Sequence, residues 1–179
     1  MSTAQIFTER LIYTMKKEGV QKTLSKGEFL LREGDVEKSL YYIESGAVRA
    51  FLLSELEEQT IRFGYEGSII NSLSSYITGK PSEFYIEAMR KTTVRVSTKE
   101  AMLKLVHKDA ESLQGYIGLL EAVITQQIDR ENDLLTVSPT ERLRRVLQRS
   151  PMLFQEVPLK YIASYLRMTP ETLSRVRNS

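Results

Sequence analysis

The first twenty residues carry Ile6, Phe7, Leu11, Ile12 and Met15 at three- and four-residue spacing, followed by Lys16, Lys17 and Gly19. That spacing gathers the apolar side chains on one face and predicts a helix stopped at the glycine. From Lys22 to Val96 the pattern shortens into β-prone runs: Phe29–Leu31, Leu40–Ile43, Val48–Leu53, Gln59–Phe63, Tyr85–Met89 and Thr92–Val96. Glycines at 27, 34, 46, 64, 67 and 79 fall between or beside them as turn positions. Strands at intervals of about 8–12 residues, with no long helix between them, imply an antiparallel sandwich or barrel. The less strand-like Asn71–Thr78 reads as a short helix inside it.

From Lys99 the period is helical again. Ala101–Leu105 gives a short helix, and after His107 a long one begins, capped by Asp109 or Ser112. Its apolar stripe runs Leu113, Ile117, Leu120, Ile124, Ile128 and Leu135, close to a heptad seam. Such an edge must be buried, either on the barrel or on the same helix of a second subunit. The helix outruns the barrel, so the expectation is a two-fold seam through Leu113, Ile117, Leu120, Ile124 and Ile128. Ser138-Pro139 then starts another helix, with Glu141 in its first turn, running to Ser150-Pro151. Pro158 opens a further helix, and Thr169 caps a last one from Pro170.

The composition narrows the chemistry. There is no cysteine and a single histidine, His107, which excludes disulfides, Cys-held clusters and His-triad metal sites. No apolar run approaches the roughly 18–20 residues that span a bilayer, and Met1–Gln5 lacks the pattern of a secretory leader. A cytoplasmic, non-membrane protein is the expectation. Charge is uneven: residues 108–137 hold 2 Lys/Arg against 6 Asp/Glu, whereas residues 138–179 hold 8 against 3. Seven of those eight cations are arginines, suited to phosphate and guanine forks, so a polyanionic partner is indicated. The tyrosines at 41, 42, 65, 76 and 85 read as wall and core aromatics. Glu55, Glu57 and Glu58 read as a solvated hairpin tip, and His107 as a surface or junction residue.

The strongest motif is I-A-S-Y-L-R-M-T-P-E-T-L-S-R, Ile162 to Arg175. Two short helices across a three-residue turn, one packing through Ile162, Ala163 and Leu166 and the other through Leu173 and Val176, make a helix-turn-helix. Its second helix is the one that enters a DNA major groove. Glu171 can accept from cytosine N4, and Arg175 can fork onto guanine O6 and N7.

Together with L-Y-Y-I-E-S-G-A-V-R at Leu40–Arg49, and E-T-L-S-R at Glu171–Arg175, this order of elements resembles the cyclic-AMP receptor protein/FNR (CRP/FNR) superfamily of bacterial transcription regulators. The resemblance covers nearly the whole chain. It implies an α+β architecture: a cyclic-nucleotide-binding-like β-roll (a jelly roll) with an N-terminal helix over 1–107, a dimerisation helix over 108–137, and a helix-turn-helix domain over 138–179 whose wing is short or absent. Function is then operator binding by a homodimer at an inverted repeat of double-stranded DNA, with RNA polymerase a further candidate partner. Glu171, Ser174 and Arg175 would read bases, Thr169 and Thr172 would hold phosphate, and Arg177 adds positive charge.

Two departures limit the carry-over. Nucleotide-binding members hold their ligand with a Gly-Glu pair and, about ten residues on, an arginine followed by a small residue. Aligned on Gly67, this chain has Asn71-Ser72 and Ser82-Glu83 there, and Arg90 lies outside the motif. A pocket of Asn71, Ser72, Ser82 and Glu83 has no fixed cation, so cyclic nucleotide is disfavoured, no cofactor is expected, and either the effector is neutral or cationic or the protein needs none and is controlled by its abundance. The lack of cysteine also removes the iron–sulfur sensing of FNR-type members. In the turn, Arg167 replaces the family's frequent glycine; at positive φ it would store about 1 kcal/mol of strain. A cupin-like enzyme lacks its metal ligands here, and no catalytic or metal residues are assigned. The rival reading is a sensor or scaffold that has lost operator recognition.

Overall fold

The computed structural model describes residues 2–54 and 57–178; Glu55, expected at the hairpin tip, lies outside them. Helix α1 (Thr3–Glu18) starts in a reciprocal box: the Ser2 hydroxyl accepts from the Gln5 amide, and the Gln5 side chain accepts from the Ser2 amide. Its buried residues are Phe7, Leu11 and Met15, three of the predicted stripe.

Among the described residues eight strands follow: β1 (Val20–Leu24), β2 (Phe29–Leu31), β3 (Ser39–Ser45), β4 (Ala47–Leu53), β5 (Glu58–Tyr65), β6 (Ile69–Ile70), β7 (Tyr85–Ala88) and β8 (Thr92–Thr98). They form two four-stranded antiparallel sheets, β1-β8-β3-β6 and β2-β7-β4-β5. Between the sheets lies a core of Leu24, Leu31, Ile43, Val48, Ile70, Ile86 and Val94. This is the expected roll. The β3–β4 turn shows why a glycine stands at position 46: its φ is +92°, and a Cβ there would lie 2.5 Å from the Lys91 carbonyl. Helix α2 (Leu73–Thr78) is the short helix expected within the roll.

Helix α3 (Lys99–Val106) precedes α4 (Ala110–Leu135), which at 26 residues is about 39 Å long. Asp109 is the cap of α4, accepting from the Ser112 amide at 2.7 Å, while Ser112 lies inside the helix. One face of α4 packs on α1 at close range. A Cβ on Gly115 would fall 2.5 Å from that of Phe7, and one on Gly118 would fall 3.0 Å from that of Ala4. Helices α5 (Pro139–Arg149), α6 (Leu153–Glu156), α7 (Leu159–Tyr165) and α8 (Pro170–Arg177) complete the chain. Their core of Leu143, Val146, Leu153, Ile162, Leu166 and Leu173 is continuous with Ala47 and Met89 of the roll. Among the described residues no helix is long and apolar enough to cross a membrane.

Candidate nucleic-acid interface and sensor cavity

The last two helices have the expected layout. Ile162, Ala163 and Leu166 are buried from the first, and Leu173 from the second. The Thr169 hydroxyl caps α8 by accepting from the Thr172 amide at 3.2 Å. Arg167, between the helices, adopts φ +53°. The strain of a non-glycine residue there is held by Arg142 of α5, which donates to the carbonyls of Leu166 (2.6 Å), Arg167 (3.3 Å) and Thr136 (2.7 Å). Nothing in the sequence marked Arg142 as the clasp of this turn, because the contact spans 24 residues.

With Leu173 directed inward, Glu171, Ser174, Arg175 and Arg177 are exposed, and Thr172 is half-buried. Hydrogen bonding with its own helix end and Thr169 holds the Glu171 carboxyl below its ordinary value, so it is an anion at neutral pH. Arg177 lies 5.8 Å from the Phe154 ring. Thr169 is engaged in the cap, with its hydroxyl 3.2 Å from that of Thr172.

The opposite side of this unit rests on the roll. Ser164 of α7 accepts from the Thr60 amide at 2.9 Å and donates to the Glu58 carbonyl at 3.0 Å. Tyr165 tilts against Phe63 with centroids 5.1 Å apart. The buried Arg49 guanidinium is stacked 4.1 Å from both Phe51 and Tyr161 and is paired with Glu58 and Glu87. Glu58 is therefore an ion-pair partner as well as a hairpin residue. Arg90 is also occupied, donating to the Gly46 carbonyl and to both the carbonyl and carboxylate of Glu156.

The roll carries a cavity of about 430 Å³ lined by Ala50, Ile61, Arg62, Asn71, Leu73, Ser74, Ile77, Phe84 and Gln127. Of the four expected pocket residues only Asn71 lines it. Ser72 and Ser82 are buried and bonded to each other at 3.0 Å, so their hydroxyls are already used. Glu83 is exposed. The reason is local: the Ser82 hydroxyl folds back onto the Phe84 carbonyl (2.9 Å), which holds the Ser82–Phe84 turn and leaves Glu83 on its outer side. The expectation of a cavity without a fixed cation is likewise corrected, since Arg62 of β5 forms part of its wall. The buried acid of this region is Glu37, accepting from the Ser39 amide (3.0 Å) and the Tyr41 hydroxyl (3.1 Å).

On α4, Leu113, Ile117, Ile124 and Ile128 are 44, 41, 59 and 52% exposed, and Leu120 is half-buried. The described residues therefore leave this stripe largely uncovered. His107, at the end of α3, is exposed.

Comparison with known proteins agrees with this architecture. A family model described as cyclic nucleotide-binding domain matches residues 21–109. The chain is 29% identical over 168 residues to the fumarate and nitrate reduction regulatory protein of Escherichia coli (strain K12), and the match takes in 87% of this chain. A relative with a corresponding name from Klebsiella oxytoca gives the same identity and coverage. The chain spans 66% of the length of these relatives, just under two thirds. Among solved structures, FixK2 from Bradyrhizobium japonicum superposes with a TM-score of 0.75 at 21% identity, covering 89% of this chain and 83% of that one. A CooA mutant from Carboxydothermus hydrogenoformans gives 0.71 at 21% identity, covering 90% and 76%. An antiparallel roll joined by a long helix to a C-terminal helix-turn-helix is thus the fold this chain shares with FixK2 and CooA, over a sequence similar to the fumarate and nitrate regulators and a roll matched by the cyclic nucleotide-binding domain.

Proposed function

We propose that the protein is a cytoplasmic DNA-binding transcriptional regulator of the CRP/FNR type, acting on an inverted-repeat operator as a homodimer. The observation that carries this reading is the two-sided character of α8. Leu173 anchors it in the core, and Glu171, Ser174 and Arg175 stand exposed on the other side, a donor and acceptor set fitted to base edges. Arg177 would add backbone attraction, and Thr169 and Thr172 would lie near phosphate at the helix start. The open stripe on α4 supports a two-fold seam between residues 108 and 137, dividing a sensor unit from a helix-turn-helix unit at 138–179. Such a dimer would set two α8 helices in major grooves about 34 Å apart. RNA polymerase is a further candidate partner. Control independent of cyclic nucleotide is supported by the engagement of Ser72 with Ser82, where nucleotide-binding members carry ligand-holding residues.

The test is a gel-shift salt series on operators selected from random inverted repeats. Arg175→Ala should weaken binding to the selected site by about 1–3 kcal/mol and relax preference at one base pair. A uniform loss on all sequences with a shallower salt slope would make Arg175 a phosphate contact instead. Failure to select any site would favour the scaffold reading.

A further inference from the structure

A second cavity of about 430 Å³ lies where β5 meets α4 and α5, and its wall includes Arg62, Arg130 and Arg149 but no carboxylate. The three arginines differ in how they are satisfied. Arg149 is paired with Asp133, a fully buried acid that also accepts from Arg145 at 2.9 Å. Asp133 is thereby used up. Arg130 gives one nitrogen to the Tyr165 carbonyl and lies over the Tyr165 ring, but its Nη1 is buried with no partner among the described residues. Arg62 makes no ion pair or hydrogen bond among the described residues. Burial draws both guanidiniums below the usual arginine range, and for Arg130 the nearby Arg167, Arg142 and Arg149 add to that effect.

A desolvated guanidinium cannot shed its proton at physiological pH, and without a counter-charge it costs stability. Two of them on one cavity wall constitute an unfilled anion requirement. We propose that this cleft binds a small dianionic oxyanion, a phosphoryl or dicarboxylate group on a metabolite, held by Arg62 and Arg130. The amides of Gln126 and Gln127 and the hydroxyl of Ser150, on the same wall, can donate to its remaining oxygens. The volume falls within the range of small-molecule sites. The site joins three elements: the roll through Arg62, the long helix through Arg130, and the C-terminal helices through Ser150. An anion there would tie the C-terminal helices to the roll. The proposal does not rest on operator recognition, and a chain that fails every gel shift can still be tested for it.

The probe is inorganic phosphate, titrated against the full chain at constant ionic strength made up with sodium chloride, with thermal unfolding as readout. The Tm should rise along a saturating curve, by about 5–10 °C at 100 times the dissociation constant. Arg62→Met should abolish the saturating rise, yet be at least as stable as the parent in phosphate-free buffer, because it removes an uncompensated charge. Arg62→Lys, which keeps charge but not the fork, should weaken phosphate several-fold. Glycerol phosphate and succinate in parallel distinguish the two sources: tighter glycerol phosphate assigns a phosphoryl metabolite, and tighter succinate a dicarboxylate. A rise linear in concentration and shared with Arg62→Met is a general salting effect and overturns the proposal. An Arg62→Met chain that is less stable in phosphate-free buffer overturns it too, since a protein group, in this chain or a second copy, must then already neutralise the arginine.

Discussion

Replacing Arg49 with alanine removes the cation that joins three parts of the molecule. Its side chain is 3% exposed, with Nε 2.8 Å from Glu87 and Nη2 2.5 Å from Glu58. The guanidinium is stacked 4.1 Å from the centroids of Phe51 and Tyr161, one ring in the roll and the other in α7. The two carboxylates do not count equally. Glu87 is 18% exposed and would be left as a buried, unpaired charge, whereas Glu58 is 48% exposed and can turn to water. Losing the partner of a buried ion pair costs about 3–5 kcal/mol, and the exposed pair adds at most about 1. The ring contacts are worth about 0.5–1 kcal/mol each but overlap with the ion-pair loss, so the whole effect should be about 4 kcal/mol. Urea unfolding followed by circular dichroism should show a midpoint lowered by about 2 M at an m-value near 2 kcal/mol/M. A companion Arg49→Met, Glu87→Leu double variant should recover most of the loss, because it leaves no buried charge alone. A single variant that costs less than about 1 kcal/mol would refute the reasoning.

Glutamate at both Leu120 and Ile124 would set like charges against their symmetry mates in a seam, costing several kcal/mol, so sedimentation should show monomers; a variant that stays dimeric places the interface elsewhere. Burial raises the Glu37 carboxyl above its ordinary 4.5, outweighing the hydrogen bonds from Ser39, Ser72 and Tyr41. The native state therefore binds the proton more tightly than the unfolded chain. The resulting stability is complete below the unfolded value and lost as pH rises through the folded one. The advantage of Glu37→Gln over the parent should grow with pH above 4.5, at up to about 1.4 kcal/mol per unit, and a flat difference counts against it. The Tyr76 hydroxyl is buried without a partner among the described residues, and burial pushes it up to about 12. Tyr76→Phe should therefore be neutral or stabilising by about 1–2 kcal/mol in thermal melts, and a comparable loss would show that the hydroxyl is satisfied.

What the chain disclosed in advance follows from range. The stripe of α1, the turns at Gly27, Gly34, Gly46, Gly67 and Gly79, the Ser138-Pro139 start and the helix-turn-helix are written within a few residues of themselves and have their expected form, whereas Gly64 lies inside β5, where a Cβ would crowd Ile43. Strand β1 did not show because it is an edge strand with four of its five residues exposed, so V-Q-K-T-L lacks any apolar alternation. Strand β6, two residues long, and α6, a single turn, are too short to carry a period. The sensor cavity was the least legible part. Local alignment could say which residues occupy the loop positions, but not that Ser72 and Ser82 would satisfy each other. Nor could it show that an arginine on β5 would stand in the cavity wall beside Gln127 from α4.

The hydroxyl of Ser164 has a consequence for self-association. Strand β5 is the end strand of its sheet, and such a strand offers unpaired peptide groups to any passing chain. Ser164 occupies two of those groups at once, the Thr60 N–H and the Glu58 C=O, and α7 covers the strand. Lifting α7 from the roll bares an edge containing Ile61 and Phe63, apolar residues suited to recruiting another β-strand. The charge of Arg62 between them is then the remaining guard against stacking. The contact that docks the C-terminal helices is thus also a safeguard against aggregation, and any motion that releases them must be brief or find the strand another cover.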